Sequence, residues 1–248
     1  MKRWAALLAS AWVWCAGAQG AEVAVAVASN FMAPMKEIAA GFERHSGHQV
    51  TLSAGSTGGF YAQIKLGAPF DLLLAADDAT PARLEKEGLG VAGSRVTYAI
   101  GQLVLWSRQP GLVDVQGAVL RHGGFQRLAL TDPKLAGYGA AAAQTLASLQ
   151  LLGPLEPRLV QGASVAQAYQ FVATGNAELG FVAMSQVFRD GRLSAGSAWV
   201  VPGHLYQPLR QDALLLNRGR DKPAALALAA YLRSEDARRV MRRYGYGF

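Results

Sequence analysis

The sequence predicts an α/β protein of two lobes, each lobe a mostly parallel sheet flanked by helices, the two joined by a two-segment hinge. Three observations carry this. Apolar strand-like runs alternate with helical patterns along the chain, the rhythm of parallel sheets covered on both faces. The 248 residues, less a leader, exceed one ordinary core and suit two domains of about 100 residues each, and 51% hydrophobic composition is enough to fill both. The alternation is also interrupted twice, at Val96–Trp106 with Gly101 in its middle and again around Tyr206–Leu216. Two short crossings rather than one linker imply lobes hinged about a cleft.

The first twenty residues stand apart. Lys2 and Arg3 precede an apolar stretch from Trp4 to Trp14 and a small-residue segment ending at Gly20, the pattern of a cleaved secretory signal peptide. Cleavage before Gln19 or Ala21 fits, and a mature chain from Ala21 is favoured. The apolar stretch is too short for a membrane span, and Trp12-Val13-Trp14 before Cys15 is too bulky for a lipid-attachment signal. Cys15, the one cysteine, lies inside the leader, so the mature chain has no thiol chemistry.

Val23–Ala28 reads as a buried strand, followed by Met35, Ile38, Ala39 and Phe42 at helical spacing. Val50–Ala54 repeats the move, with Gly55–Gly59 as the turn and a helix through Tyr61, Ile64 and Lys65 that stops at Gly67. Phe70–Ala75 is a third strand; Thr80 as N-cap and Pro81 in the first turn open a helix that ends at Gly88. Beyond the first crossing come strand Leu128–Leu130, helix Gly139–Leu152, strand Leu159-Val160, helix Val165–Thr174 and strand Leu179–Ala183. After the return crossing, helices Ala224–Leu232 and Glu235–Tyr244 pack back on the first lobe. Lobe one is therefore 21–100 and 210–248, and lobe two 101–209.

Four strand-to-helix junctions carry the chemistry: Ser29-Asn30, Ser56-Thr57, Tyr138-Gly139 and Ser164-Val165. A helix start leaves its first N–H groups without internal partners and carries roughly half a positive charge, so converging junctions form an anion cage without a cation. Ser29 and Thr57 add hydroxyl donors, Asn30 an amide donor, and backbone N–H groups of Asn30, Thr57, Tyr138 and Val165 the rest; Ser56 and Ser164 are possible additional donors. The lysine or arginine nearest to these junctions is Lys134. A shell of donors alone selects a fully deprotonated oxyanion and argues against a protonated phosphate, which needs an acceptor.

Ala28-Ser29-Asn30-Phe31, Gly55-Ser56-Thr57-Gly58 with Tyr61-Ala62-Gln63-Ile64, Gly67–Asp71 and Ala75-Ala76-Asp77 closely resemble the periplasmic molybdate-binding proteins of ABC importers. The resemblance runs on through Gly93-Ser94-Arg95, Trp106-Ser107, Asp132-Pro133 to Tyr138-Gly139, Ala163-Ser164-Val165, Leu179–Ala183 and Arg243–Tyr246. It implies the periplasmic-binding-protein fold and an oxyanion held by Ser29, Asn30, Thr57, Tyr138 and Val165, with Ser56 able to share the second position. Some members place a tyrosine where this chain has Ala183, and the chain resembles the subgroup that uses Tyr138 instead. The implied function is periplasmic capture of molybdate, with tungstate held similarly, and its delivery by a monomer to a membrane ABC permease. No chemistry and no cofactor are involved, and molybdenum is bound only as molybdate, with no direct protein–metal ligand. Sulfate or another tetrahedral dianion is the alternative ligand.

Other features point elsewhere. The formal charge is +7, reduced to +5 by removing Lys2 and Arg3; the basic residues are scattered apart from Arg238-Arg239 and Arg242-Arg243, which read as a solvated helix face and exclude a nucleic-acid stripe. His45 and His48 have metal-compatible spacing but sit in a polar turn with only Glu43 nearby, and Asp71, Asp77 and Asp78 read as loop and capping residues. Gly55–Gly59 resembles a phosphate loop, but Lys65 is too far along the helix. A secreted hydrolase using Ser29 or Ser56 requires His45, His48, His122 or His204 at a serine, and no Gly-x-Ser-x-Gly elbow accompanies His122-Gly123-Gly124. Trp106, Tyr98 and Phe181 are expected in cores or at the hinge.

Overall fold

Residues 20–248 are described by a computed structural model; the expected leader, Cys15 included, lies outside them apart from Gly20. The chain runs β1 (Glu22–Ala28), a single 3-10 turn Ser29–Phe31, α1 (Met32–Ser46), β2 (Gln49–Gly55), α2 (Thr57–Lys65), β3 (Leu72–Leu74), α3 (Ala79–Lys86) and β4 (Val96–Gly101). It continues with β5 (Leu103–Ser107), α4 (Val119–His122), β6 (Leu128–Thr131), α5 (Gly137–Ser148), α6 (Leu152–Leu155), β7 (Leu159–Gly162), α7 (Val165–Ala173) and β8 (Leu179–Ala183). Then follow α8 (Met184–Val187), β9 (Phe188–Arg189), β10 (Arg192–Leu193), β11 (Ser197–Val200), β12 (Leu209–Leu215), α9 (Pro223–Tyr231) and α10 (Glu235–Arg243).

Two five-stranded sheets result, ordered β2-β1-β3-β12-β4 and β11-β5-β8-β6-β7. In the first, β1, β2 and β3 are parallel and β12 is antiparallel to both β3 and β4. In the second, β6 is parallel to β7 and β8, while β5 runs antiparallel to β8 and β11. The Val96–Trp106 run is thus two strands in two sheets, broken at Gln102.

Strand periodicity explains why each sheet needs two cores. Val23, Val25 and Val27 of β1 face α1, α9 and α10, whereas Ala26 faces Phe60, Ile64 and Leu84. In the second sheet Leu103 and Leu105 of β5 turn to one core and Val104 and Trp106 to the other. Trp106 stacks on Tyr169, ring centroids 5.1 Å apart. Burying such side chains contributes about 1.5–3 kcal/mol each, which is why both faces of these strands read as continuous apolar runs.

Three expectations change in detail. Thr80 is not the N-cap of α3: the helix already begins at Ala79, and Asp77 Oδ1 accepts from Thr80 N–H at 2.7 Å. Asp71 lies in the bend before β3, as read, but is also a buried anchor, accepting from Ala24 N–H at 2.9 Å and lying 2.9 Å from Lys222 Nζ and 3.2 Å from Arg218. Strands β9, β10 and β11 have no counterpart in the sequence reading, since two to four residues are too few to show a period of two. The arginines of α10 engage its own acids, Arg239–Asp236 at 3.2 Å and Arg242–Glu235 at 2.6 Å, while Ala237 and Met241 are buried.

Helix α2 is held to α3 at its far end. Glu87 takes hydrogen bonds from Lys65 (3.0 Å), Tyr61 (2.9 Å) and Arg83 (2.9 Å), which hold its carboxyl at about 2. A depressed folded-state value means the contribution is whole above the ordinary 4.5 and is lost as pH falls towards 2. Glu87→Gln should therefore lower the thermal midpoint at pH 7, with the gap from the native protein narrowing steadily below pH 4.5. Asp71→Asn should cost about 1–3 kcal/mol in urea unfolding, through a shifted midpoint at unchanged slope.

Candidate anion site

Strand register and lobe packing bring the four junctions into a closed ring. Ala28 pairs with Gly55 in parallel register, so the chain turns at Ser29 and at Ser56 on adjacent strands. Thr131 pairs with Gly162, which places the β6 and β7 exits side by side in the second lobe. Across the cleft, Gly58 N–H donates to Leu135 O at 3.1 Å, joining the start of α2 to the approach of α5. The circle closes where α7 packs against the Ser29–Phe31 turn. Both sheets thus present the carboxyl ends of parallel strands to one cleft, the usual ligand position in open α/β sheets.

Local structure sets what each junction offers. Ser56 and Ser164 are N-caps: Ser56 Oγ accepts from Gly59 N–H at 3.2 Å and Ser164 Oγ from Gln167 N–H at 3.3 Å. Thr57 is buried, and its Oγ1 accepts from Ala76 N–H at 2.9 Å. Since that oxygen is already taken by a donor, the hydroxyl hydrogen is directed elsewhere. Val165 is the buried first residue of α7, so its N–H has no partner within the helix. The first turns of α2, α5 and α7 hold no acidic residue, whereas α10 places Glu235 and Asp236 in its own. The positive ends facing the cleft are left uncompensated.

Tyr138 is the second residue of α5 rather than the residue before it, because the helix starts at Gly137. Gly137 and Gly139 let the helix sit tight: a Cβ on the first would lie 2.8 Å from Ala76 O, and on the second 2.3 Å from Thr131 O. The Tyr138 ring is buried and its Oη accepts from Gln211 Nε2 at 3.1 Å. Burial pushes its phenol well above the ordinary value, so it stays protonated and able to donate. Gly101 makes this arrangement possible, since a Cβ there would lie 2.2 Å from Tyr138 Oη and 2.6 Å from Gln211 Nε2.

At Asn30 the side chain differs from the sequence reading. Both Nδ2 hydrogens are committed inside the protein, to Gln211 Oε1 at 3.0 Å and Tyr246 Oη at 2.9 Å, and Oδ1 is buried without a partner. What Asn30 offers the cleft is its backbone N–H rather than its amide. Ser29, half-buried, opens the 3-10 turn and its carbonyl accepts from Met32 N–H. The residues that sequence reasoning did not single out are Gln211, Tyr98, Ser185 and Tyr246, a buried polar group beneath the ring. Tyr98, expected as core or hinge packing, places its hydroxyl 3.1 Å from Ala75 O and 3.0 Å from Gln211 Oε1. Besides Tyr98, Tyr246 had left a trace in the sequence, within the quoted closing motif.

No lysine or arginine takes part in the hydrogen bonds of Asn30, Thr57 or Tyr138 among the described residues. The lobes are closed on each other. Ser185 Oγ donates to Asn30 O at 2.8 Å across the cleft, and at the rim Arg189 pairs with Glu37 and lies 4.2 Å over the Tyr244 ring, while Arg243 reaches Asp190 at 2.9 Å. Burial raises the Glu37 carboxyl, but the hydrogen bonds from Tyr244 and Arg189 outweigh it and hold it below the ordinary value. The histidines lie away from this chemistry: His48 Nδ1 accepts from Ala21 N–H at 3.2 Å, and no histidine side chain hydrogen-bonds a serine among the described residues.

Two α/β lobes closed over a ring of helix starts define a solute-binding protein. Residues 23–247 match the bacterial extracellular solute-binding proteins. The molybdate-binding protein ModA of Azotobacter vinelandii is 62% identical over 230 residues, covering 93% of this chain and 91% of that protein. ModA of Rhodobacter capsulatus is 48% identical, covering 92% and 89%. The solved structure of an Azotobacter vinelandii periplasmic molybdate-binding protein superposes with a TM-score of 0.88 at 38% identity, covering 91% of this chain and 99% of that one. The chain belongs to the bacterial extracellular solute-binding protein family and, within it, to the molybdate-binding proteins.

Gly101→Ala should drive Tyr138 and Gln211 from their places and cost about 1–3 kcal/mol, seen as a lower thermal midpoint. Gly153→Ala, whose Cβ would meet nothing within 4 Å, should leave the midpoint within about 0.5 kcal/mol of native and serves as the control.

Proposed function

We propose that this protein binds molybdate, and tungstate in the same manner, in the periplasm and hands it to a membrane ABC permease without altering it. Ser29, Asn30 and Thr57 from the segments 21–100 and 210–248, and Tyr138 and Val165 from 101–209, are its oxyanion donors, with Ser56 and Ser164 as additional candidates. One observation supports the reading: Thr57 and Tyr138 each have an oxygen already accepting from a protein N–H, which leaves both hydroxyl hydrogens available to an anion. Such a shell suits a tetrahedral dianion with no proton of its own. The names of the relatives supply the ion.

Helix termini contribute up to about 2 kcal/mol each when partly buried and hydrogen bonds to a charged group about 1.5–3, so a handful of these reaches micromolar or tighter binding after association costs. Ligand held by both lobes binds the closed form preferentially and shifts the hinge equilibrium towards it. The permease then reads closure. The protein acts as a monomer, needs no cofactor, and gives molybdenum no direct ligand.

Calorimetric titration with molybdate, tungstate, sulfate and phosphate should show strong heats for the first two only; a preference for sulfate sinks the assignment. Thr57→Ala should weaken molybdate by about 1.5–3 kcal/mol, roughly 10- to 150-fold, whereas Thr57→Ser, which keeps the hydroxyl, stays within about threefold of native. An unchanged dissociation constant in Thr57→Ala removes that side chain from the donor set.

A further inference from the structure

We propose that Gln211, on the strand returning from the second lobe, is a positioning residue for anion binding: it fixes the direction of the Tyr138 hydroxyl hydrogen and links it to Asn30. The proposal rests on the oxyanion reading above.

The polarity can be traced from a group with only one option. The Asn30 carbonyl can only accept, and both Ser185 Oγ (2.8 Å) and Tyr246 Oη (3.0 Å) lie on it, 3.1 Å from each other. The Tyr246 hydrogen is therefore committed to Asn30 O or Ser185 Oγ, and its oxygen receives a hydrogen from Asn30 Nδ2 at 2.9 Å. The second Nδ2 hydrogen goes to Gln211 Oε1 at 3.0 Å. With its carbonyl end facing Asn30, Gln211 turns its amino end to Tyr138, Nε2 to Oη 3.1 Å. A phenol oxygen that receives a hydrogen there keeps its own hydrogen for another acceptor, and on the oxyanion reading that acceptor is the bound anion. One backbone carbonyl in the first lobe thus sets a proton in the second.

The strand is built for this. Along β12, Gln211 pairs with Ala99 and Asp212 with Thr97, so the register skips Tyr98 and a bulge results. The extra residue is Tyr98 on β4, and such a bulge bends and re-aims the strand that carries it. Here Gln211 and Asp212 are both buried, Asp212 held by Arg95 at 2.7 Å and Thr97 at 2.6 Å, and Gln211 free to face the lobe junction. The skipped Tyr98 places its hydroxyl 3.0 Å from Gln211 Oε1.

The test is a double-mutant cycle by calorimetric titration of the full chain with molybdate: native, Gln211→Met, Tyr138→Phe and the double variant, each checked for folding by its thermal midpoint. Gln211→Met should weaken binding about 10-fold or more in the native background, yet less than about 3-fold when Tyr138 is already Phe, because no hydrogen is left to direct. Losses that multiply independently, or unchanged affinity in Gln211→Met, overturn the proposal. Should Gln211→Met fail to fold, Gln211→Glu keeps the acceptor towards Asn30 but faces Tyr138 with an oxygen; it must bind at least about 10-fold more weakly than native, and native-like affinity overturns the proposal. Absence of binding by the native protein to molybdate and tungstate removes the oxyanion reading and this proposal together, whereas native binding with an additive cycle removes Gln211 alone.

Discussion

The hydrogen bond from Ala76 N–H to Thr57 Oγ1, and its counterpart from Gln211 Nε2 to Tyr138 Oη, is the constraint on which the cleft depends. A hydroxyl is ambivalent and will turn oxygen or hydrogen to a neighbour as required. Engaging the oxygen within the protein removes that choice before any ligand arrives. In a cavity that holds an anion without a cation, a hydroxyl pre-set as donor adds to the backbone N–H groups and avoids reorganisation at the moment of binding.

The fields of the helices work in the same direction. Three helices start at the ring with no acid in their first turns, while α10, far from it, places Glu235 and Asp236 at its start and Arg242 and Arg243 at its end. The positive ends at the ring are left without a compensating acid, as they also are in α3 and α9, so their field remains available to an anion. The net positive charge of the chain is not used at the site. Arginines pair instead with Glu235 and Asp236 on α10, with Glu37 and Asp190 at the lobe rim, and with Asp71, Glu87 and Asp212 in the first lobe.

Closure and site are one structure. Gly101 lies where the chain passes between sheets, and the room left by its missing side chain holds both the Tyr138 hydroxyl and the Gln211 amide. Ser185 then joins the second lobe to the Asn30 carbonyl and to Tyr246 of the first. Moving the lobes apart breaks these bonds, so the hinge angle and the polarity of the cleft cannot vary independently.

Much of this was legible in the chain. Alternating valines and alanines announced β1, serines before helical runs announced the caps of α2 and α7, and the two crossings announced the hinge, because period, capping chemistry and breaks in the pattern are local properties. The family motifs were local too. What the sequence by itself determined is therefore the two-lobed α/β class and the places where strands hand over to helices. Only the tertiary structure decided the partners of these polar groups: Asn30 commits its amide hydrogens to Gln211 and Tyr246, and Gln211, silent in the sequence, lies against Tyr138 on the strand beside the bulge at Tyr98. The physical reason is that hydrogen-bond polarity in a buried network is set by partners as many as 216 residues apart, and no local pattern encodes that pairing.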